Sequence, residues 1–248
     1  MRVAALYDIH GNLPALEAVL EDLRHASVDQ VMVGGDVFPG PMSGDTLACL
    51  LDLEMPVRFI QGNGDREVLA LAAGKDTGSV PEQYQATMRW VAQPLDSEQQ
   101  QVMASWPKSV RITIHGLGEV LFCHATPRTD MEIFTRLTPE DRLLRIFKSP
   151  NVSLVVCGHT HMQFDRLIGS VRVVNAGSVG MPFGEPGAYW LLLGPDVQLR
   201  QTGYDVTRAA ERIRATNYPQ AHEFAARNIL SPPSEREALD MFIRAELK

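Results

Sequence analysis

What most limits the architecture of this chain is a repeated ending. Short apolar runs stop at loops that carry acidic, amide or imidazole side chains. "RVAALY" runs into Asp8 and His10, "DQVMVGG" into Asp36, "PVRFIQG" into Asn63 and Asp65, "EVLFC" into His124, and "LVVCG" into His159 and His161. Stretches with helical spacing separate the first three runs. Leu13, Leu16, Val19, Leu20 and Leu23 recur every three or four residues after Asn12 and Pro14, and "DTLACLLDLE" follows Asp36. This alternation of buried strands and amphipathic helices predicts an α/β layered domain with largely parallel central strands. Such sheets bind ligands outside the carboxyl ends of their strands. The unusual polar residues fall there.

The rest of the chain extends the pattern. Pro81 to Trp106 reads as helix broken at Pro94, and "SVRITIHGLGEVLFCH" as two strands around a "GLGE" turn. "SVRVVNAGSV", "GAYWLLLG" and "VQLRQTGYD" add strands, and the tail from Val206 to Lys248 is helical around Pro232 and Pro233. We expect one domain over 1–248, with a helical insertion at about 81–106 and a helical tail at about 206–248. A formal net charge of −7 excludes broad nucleic-acid or anionic-membrane binding. No apolar run approaches the ~18 residues of a membrane span, and the opening lacks the form of a signal peptide. The three cysteines match no zinc or disulfide spacing. Cys123 and Cys157 read as core residues, and a cytoplasmic location is expected.

The strand-end residues share a chemistry. In an extended loop, residues i and i+2 point the same way, so Asp8 with His10, and His159 with His161, would each present two donors to one small volume. Imidazole, carboxylate and amide oxygen together suit divalent transition metals. Asp8, His10, Asp36, Asn63, His124, His159 and His161 exceed the needs of one tetrahedral ion. Two ions roughly 3.5–4 Å apart, sharing one carboxylate, would use them all. His25, His115 and His222 lie outside these loops and read as ordinary structural histidines.

"DIHGN" (8–12), "GGDVFPGP" (34–41), "GNGD" (62–65), "CHATP" (123–127) and "GHTH" (158–161) resemble, in order, the motif series of the calcineurin-like metallophosphoesterases. "NAGSVGMP" (175–182) resembles the segment after the last motif in the bacterial phosphoesterase and phosphodiesterase branch. The resemblance implies a four-layered α/β/β/α sandwich of two mixed sheets flanked by helices, with a two-metal site between the sheets. By position, Asp8, His10 and His161 would hold the first ion and Asn63, His124 and His159 the second, with Asp36 bridging. It implies a hydrolase of phosphate ester bonds, a phosphodiesterase or phosphatase acting on a small phosphate ester. A metal-bridging hydroxide would attack phosphorus, with Asp36, Asn63 and His124 at the catalytic centre. Manganese is the expected ion, and iron, nickel, cobalt and zinc also match the donor set. Arg66 and Arg128, with Asn63, are candidates for substrate binding, since guanidinium groups pair bidentately with phosphate.

The alternative class is a non-catalytic metal-binding scaffold or regulatory protein on the same fold. A further class is a metal hydrolase of non-phosphate esters or amides. Two positions depart from the family pattern. Many members carry a histidine after the Gly-Asn of the third motif, where this chain has Gly64. Some carry an aspartate three residues beyond the second-motif Gly-Asp, where it has Pro39. With no acid at position 64, good leaving groups are expected, and Asp65 is the remaining acid in that loop.

Overall fold

The computed structural model describes residues 1–75, 80–148 and 151–245. Among these residues the strands form two five-stranded sheets. The first runs, in spatial order, β10 (Val197–Thr202), β9 (Ala188–Leu193), β1 (Val3–Leu6), β2 (Gln30–Val33) and β3 (Val57–Phe59). The second runs β4 (Ser109–Ile114), β5 (Gly118–Cys123), β6 (Leu154–Cys157), β8 (Val171–Asn175) and β7 (Phe164–Ile168). β1, β2 and β3 are mutually parallel, as are β5, β6 and β8. Antiparallel strands complete both mixed sheets.

Side-chain pattern explains the layering. β1, β2 and β6 are buried along their whole length, as unbroken apolar runs require. β4 sits at an edge and alternates, exposing Ser109, Arg111 and Thr113. Along β1, Ala4 and Leu6 face a core shared with helical Leu16, Val19 and Leu47. Val3 and Ala5, with Tyr7 beyond them, face the second sheet, packing with Phe122, Val156 and Val174. The outer face of that sheet presents Leu121, Cys123, Val155 and Cys157 to Leu143, Ile146 and Phe147. The order is therefore helix, sheet, sheet, helix, the four-layered sandwich expected. Both cysteines are free and buried.

α1 (Leu13–His25), α2 (Ser43–Leu51) and α3 (Asn63–Ala72) follow the first three strands. Asn12 caps α1 by accepting from the Ala15 N–H at 3.2 Å, with Pro14 in the first turn. Residues 81–106 carry α4 (Glu82–Ala92) and α5 (Ser97–Ala104), separated around Pro94. α6 (Glu140–Phe147) backs the second sheet. The tail holds α7 (Val206–Arg214), α8 (Ala221–Phe224) running into a π-helical turn at Ala225–Leu230, and α9 (Glu235–Ala245). Residues 246–248 of the expected helical tail lie outside the described residues. Sequence reasoning did not mark α6 or β7. α6 has only eight residues, too few turns for periodicity to stand out, and β7 begins just past His161 with no glycine or proline between them. Among the described residues no helix is long and apolar enough to cross a membrane.

Candidate metal centre

The parallel strands deliver every candidate donor to one place. Asp8 and His10 follow β1, Asp36 follows β2, Asn63 opens α3 after β3, His124 follows β5, and His159 and His161 follow β6. His10 Nε2 lies 3.3 Å from His161 Nε2. Asp8 Oδ1 lies 3.3 Å from His161 Nε2, 3.8 Å from His124 Nε2 and 4.0 Å from His10 Nε2. Asp36 Oδ2 sits between the two imidazole groups, 3.7 Å from His10 Nε2 and 3.6 Å from His124 Nε2. Asp8, His10 and His161 form one compact donor set, and Asp8, Asp36 and His124 another. His159 packs edge-on against His124 with ring centroids 5.2 Å apart. The Asn63 amide atom aimed inward is 3.1 Å from His124 Nε2, 3.0 Å from His159 Nδ1 and 3.2 Å from the Asp130 carbonyl oxygen. All three neighbours offer lone pairs. A nitrogen there can donate to them, whereas an oxygen there needs a cation among them.

The backbone achieves this convergence differently from the extended geometry expected. Asp8, His10, Asp36, His159 and His161 all lie in the left-handed region, with φ of 53°, 48°, 55°, 67° and 56°. Among the described residues only Ser27 and Asn151 are other non-glycine cases. Each such residue costs about 1 kcal/mol or more, so the surroundings must hold it. The Asp8 and His10 N–H groups donate to the Gly35 and Asp36 carbonyls at 3.1 and 2.9 Å. The His159 N–H donates to Asp8 Oδ2 at 2.8 Å.

Three further residues brace these loops. Asp65 accepts from the N–H groups of Asp36, Phe38 and Gly62 at 2.7, 3.0 and 3.0 Å. Both its oxygens are thereby engaged with backbone, while burial pushes the carboxyl up to about 6. Asn175 donates to the Gly158 carbonyl at 2.7 Å, and the Ser178 hydroxyl to the Asp8 carbonyl at 2.7 Å. Sequence reasoning gave Asn175 and Ser178 no role, although the "NAGS" run was a visible signal. Gly64 also gains a reason. A Cβ there would lie 2.4 Å from the Phe38 carbonyl oxygen and 2.9 Å from Pro39 Cδ. The two departures from the family pattern, Gly64 and Pro39, thus touch each other.

Electrostatics suit a cation. Nδ1 of His10, His124 and His161 contacts the carbonyls of Pro39, Gly34 and Met181 at 3.1, 3.0 and 2.7 Å. In its neutral form each ring then carries its proton on Nδ1 and turns the Nε2 lone pair inward. Burial, helped by neighbouring imidazoles, pulls His10 and His159 down to about 3. Burial also pushes Asp36 up to about 7, with Asp65 and Asp8 adding to the rise against the pull of His124. For Asp8 burial acts upward, but His161, His124 and His10 outweigh it and hold the carboxyl below its usual range. Asp8 Oδ1 is buried with no hydrogen-bond partner. A buried carboxylate oxygen left bare among inward imidazole lone pairs is costly unless a cation meets it. The donor set therefore fits divalent ions.

The candidate arginines are engaged nearby. Arg66 Nε donates to Asp130 Oδ2 at 2.7 Å, and Arg128 pairs with Glu132. Phe183 stacks on His161 with centroids 5.7 Å apart, and Phe242 of α9 meets Phe183 edge-on at 5.8 Å. The tail helix thus reaches the rim of the site.

A sequence profile of the calcineurin-like phosphoesterase superfamily domain matches residues 1–194, a span that contains every candidate donor. The chain belongs to that superfamily. The family is one of metal-dependent phosphoesterases, and the paired donor sets agree with this. An uncharacterized protein of Methanocaldococcus jannaschii is 26% identical over 239 residues, covering 88% of this chain and 94% of its own. Among solved structures, a hypothetical protein of Pyrococcus horikoshii has a TM-score of 0.77 at 22% identity, with 94% of this chain and 99% of its own covered. A metallophosphoesterase of Sphaerobacter thermophilus has a TM-score of 0.71 at 23% identity, with 93% and 98% covered. These structures share the fold.

Proposed function

We propose that this protein is a dinuclear metal-dependent phosphoesterase acting on small phosphate esters. Asp8, His10 and His161 would hold one divalent ion and Asn63, His124 and His159 the other, with Asp36 shared by both. Manganese is the ion we expect. The observation that carries the reading is the bare, buried Asp8 Oδ1 with three imidazole Nε2 atoms within 4.0 Å. Bound ions would supply an activated water near neutral pH and neutralise charge on the transferring phosphoryl group. The chain's own part is positional. Carbonyl contacts at Nδ1 fix three ring tautomers, and the Asp8 and Asp36 carboxylates set the charge of the pocket. Asn63 would offer its amide oxygen to the ion.

The third-motif loop offers no free side-chain acid to the leaving group. Gly64 has none, and Asp65 is occupied by backbone N–H groups. General acid catalysis is worth about 10² to 10⁴ in rate. The preferred substrates are therefore aryl esters or phosphoanhydride-like esters whose leaving groups depart as stable anions. The test is metal analysis of the purified protein with turnover of a graded series of aryl and alkyl phosphate mono- and diesters. We expect turnover that chelation abolishes, Mn²⁺ restores, and leaving-group pKa controls steeply. Full activity after rigorous chelation would refute the mechanism. Bound metal without turnover of any ester would favour the scaffold.

A further inference from the structure

Both arginines named as candidates for phosphate binding pair with acidic residues of one loop. That loop follows His124 and spans residues 125–132. Arg128 pairs with Glu132 inside it, and the Thr126 hydroxyl also donates to Glu132. Arg66 reaches it from outside, through Asp130. Asp130 is gripped from two sides. Its carboxylate takes the Arg66 Nε–H at 2.7 Å, and its backbone carbonyl lies 3.2 Å from the inward amide atom of Asn63. Arg66 and Asn63 are three residues apart on α3, so they stand on one face of that helix. The same amide atom of Asn63 lies 3.0 Å from His159 Nδ1.

The geometry points to the Arg66–Asp130 pair as a latch. It fixes the loop so that the Asp130 backbone is held against Asn63, which in turn touches His159, and these are two of the three donors assigned above to the second ion. Arg66 is then a positioning residue and not a phosphate ligand. The pair is only partly exposed, with side-chain exposures of 34% and 19%, so solvent does not fully screen it. His10 and His161 take their carbonyl contacts from Pro39 and Met181, outside this loop, so the first donor set does not depend on the latch.

The latch rests on the two-ion reading, and the experiment separates the two. Mn²⁺ would be titrated calorimetrically into chelated wild type, Arg66→Met, Asp130→Asn, the double variant and Arg66→Lys. Arg24→Gln, at an exposed pair on α1, controls for loss of charge. In parallel, imidazole ¹⁵N resonances would be followed in the metal-free proteins. Removing a partner of this kind typically weakens metal affinity about 10–100-fold. We expect one of two Mn²⁺ events to weaken by that factor in each single variant, with no further loss in the double and partial recovery in Arg66→Lys. His159 resonances should shift while those of His10 stay. Equal weakening of both events, additive losses, or a raised KM with both affinities intact would overturn the latch. A wild type that takes up no Mn²⁺ would refute the functional reading alone. The latch would then be decided by His159, whose resonances unmoved in Arg66→Met and Asp130→Asn would overturn it.

Discussion

Asp36→Asn should inactivate the protein and yet stabilise its metal-free form. Burial pushes the Asp36 carboxyl up to about 7, against an ordinary value near 4. The sign follows from proton linkage. Between those values the folded state holds a proton that the unfolded state has released, so stability falls as pH rises through the window and the loss is complete above the folded value. Each unit is worth 1.36 kcal/mol, so the full penalty is about 4 kcal/mol as an upper limit. Asparagine carries no such penalty. Its oxygen can still accept from the Gly64 N–H, which meets Asp36 Oδ1 at 2.8 Å, and its NH₂ can face the lone pairs of His10 and His124. The stability advantage of the variant should therefore grow by about 3 kcal/mol from about pH 5 to about pH 8. Comparing the two pH values cancels effects of the substitution that do not titrate. The assay is reversible denaturation of chelated wild type and variant at both. Mn²⁺ should offset that advantage, because a ligand at a thousand times its Kd adds about 4.1 kcal/mol to the protein that binds it. An advantage that is flat or shrinking with pH would refute the reasoning.

Metal uptake should tighten as pH rises, since Asp36 must lose a proton held up to about 7, and His124 and His161, which carbonyls and carboxylates hold above the usual histidine range despite burial, must be neutral. Calorimetry in buffers of different ionisation enthalpy should detect released protons, and a pH-independent affinity would contradict this. Gly64→Ala should destabilise by about 1–3 kcal/mol, because its Cβ would press on the Phe38 carbonyl. Gly44→Ala, at an exposed position of α2 with nothing near its added Cβ, should stabilise by about 0.5–1 kcal/mol. Denaturant melts of the two variants that shift in the same direction would count against the close-approach argument. Asp65→Ala strands three buried N–H groups and should cost about 3 kcal/mol or more, together with metal affinity. Retained stability in that variant would show that water replaces the carboxylate.

Much of the site was legible before any coordinates. Asp8, His10, Asp36, Asn63, His124, His159 and His161 each follow an apolar run, and the fold brings them together as their chemistry suggested. The layers were legible too, because an apolar run with no polar side must lie between two others. Such readings use information local to one segment, namely which side chains avoid water and which do not.

What stayed hidden depends on partners far away in the chain. The left-handed backbone at five donors is held by hydrogen bonds to other loops, such as Asp8 to Gly35 and His159 to Asp8. A φ sign imposed across 151 residues leaves no trace in local periodicity. The Arg66–Asp130 pair joins residues 64 apart, which no local pattern announces. Gly64 reads as a missing acid until the Phe38 carbonyl is seen to fill the space its side chain would need. The sequence by itself determined which groups could meet a metal and that each lies at the end of an apolar strand. Tertiary structure alone decided how each group is aimed and which neighbours are already taken. Burial and periodicity belong to a segment, whereas orientation and pairing are set by whatever the fold packs against it.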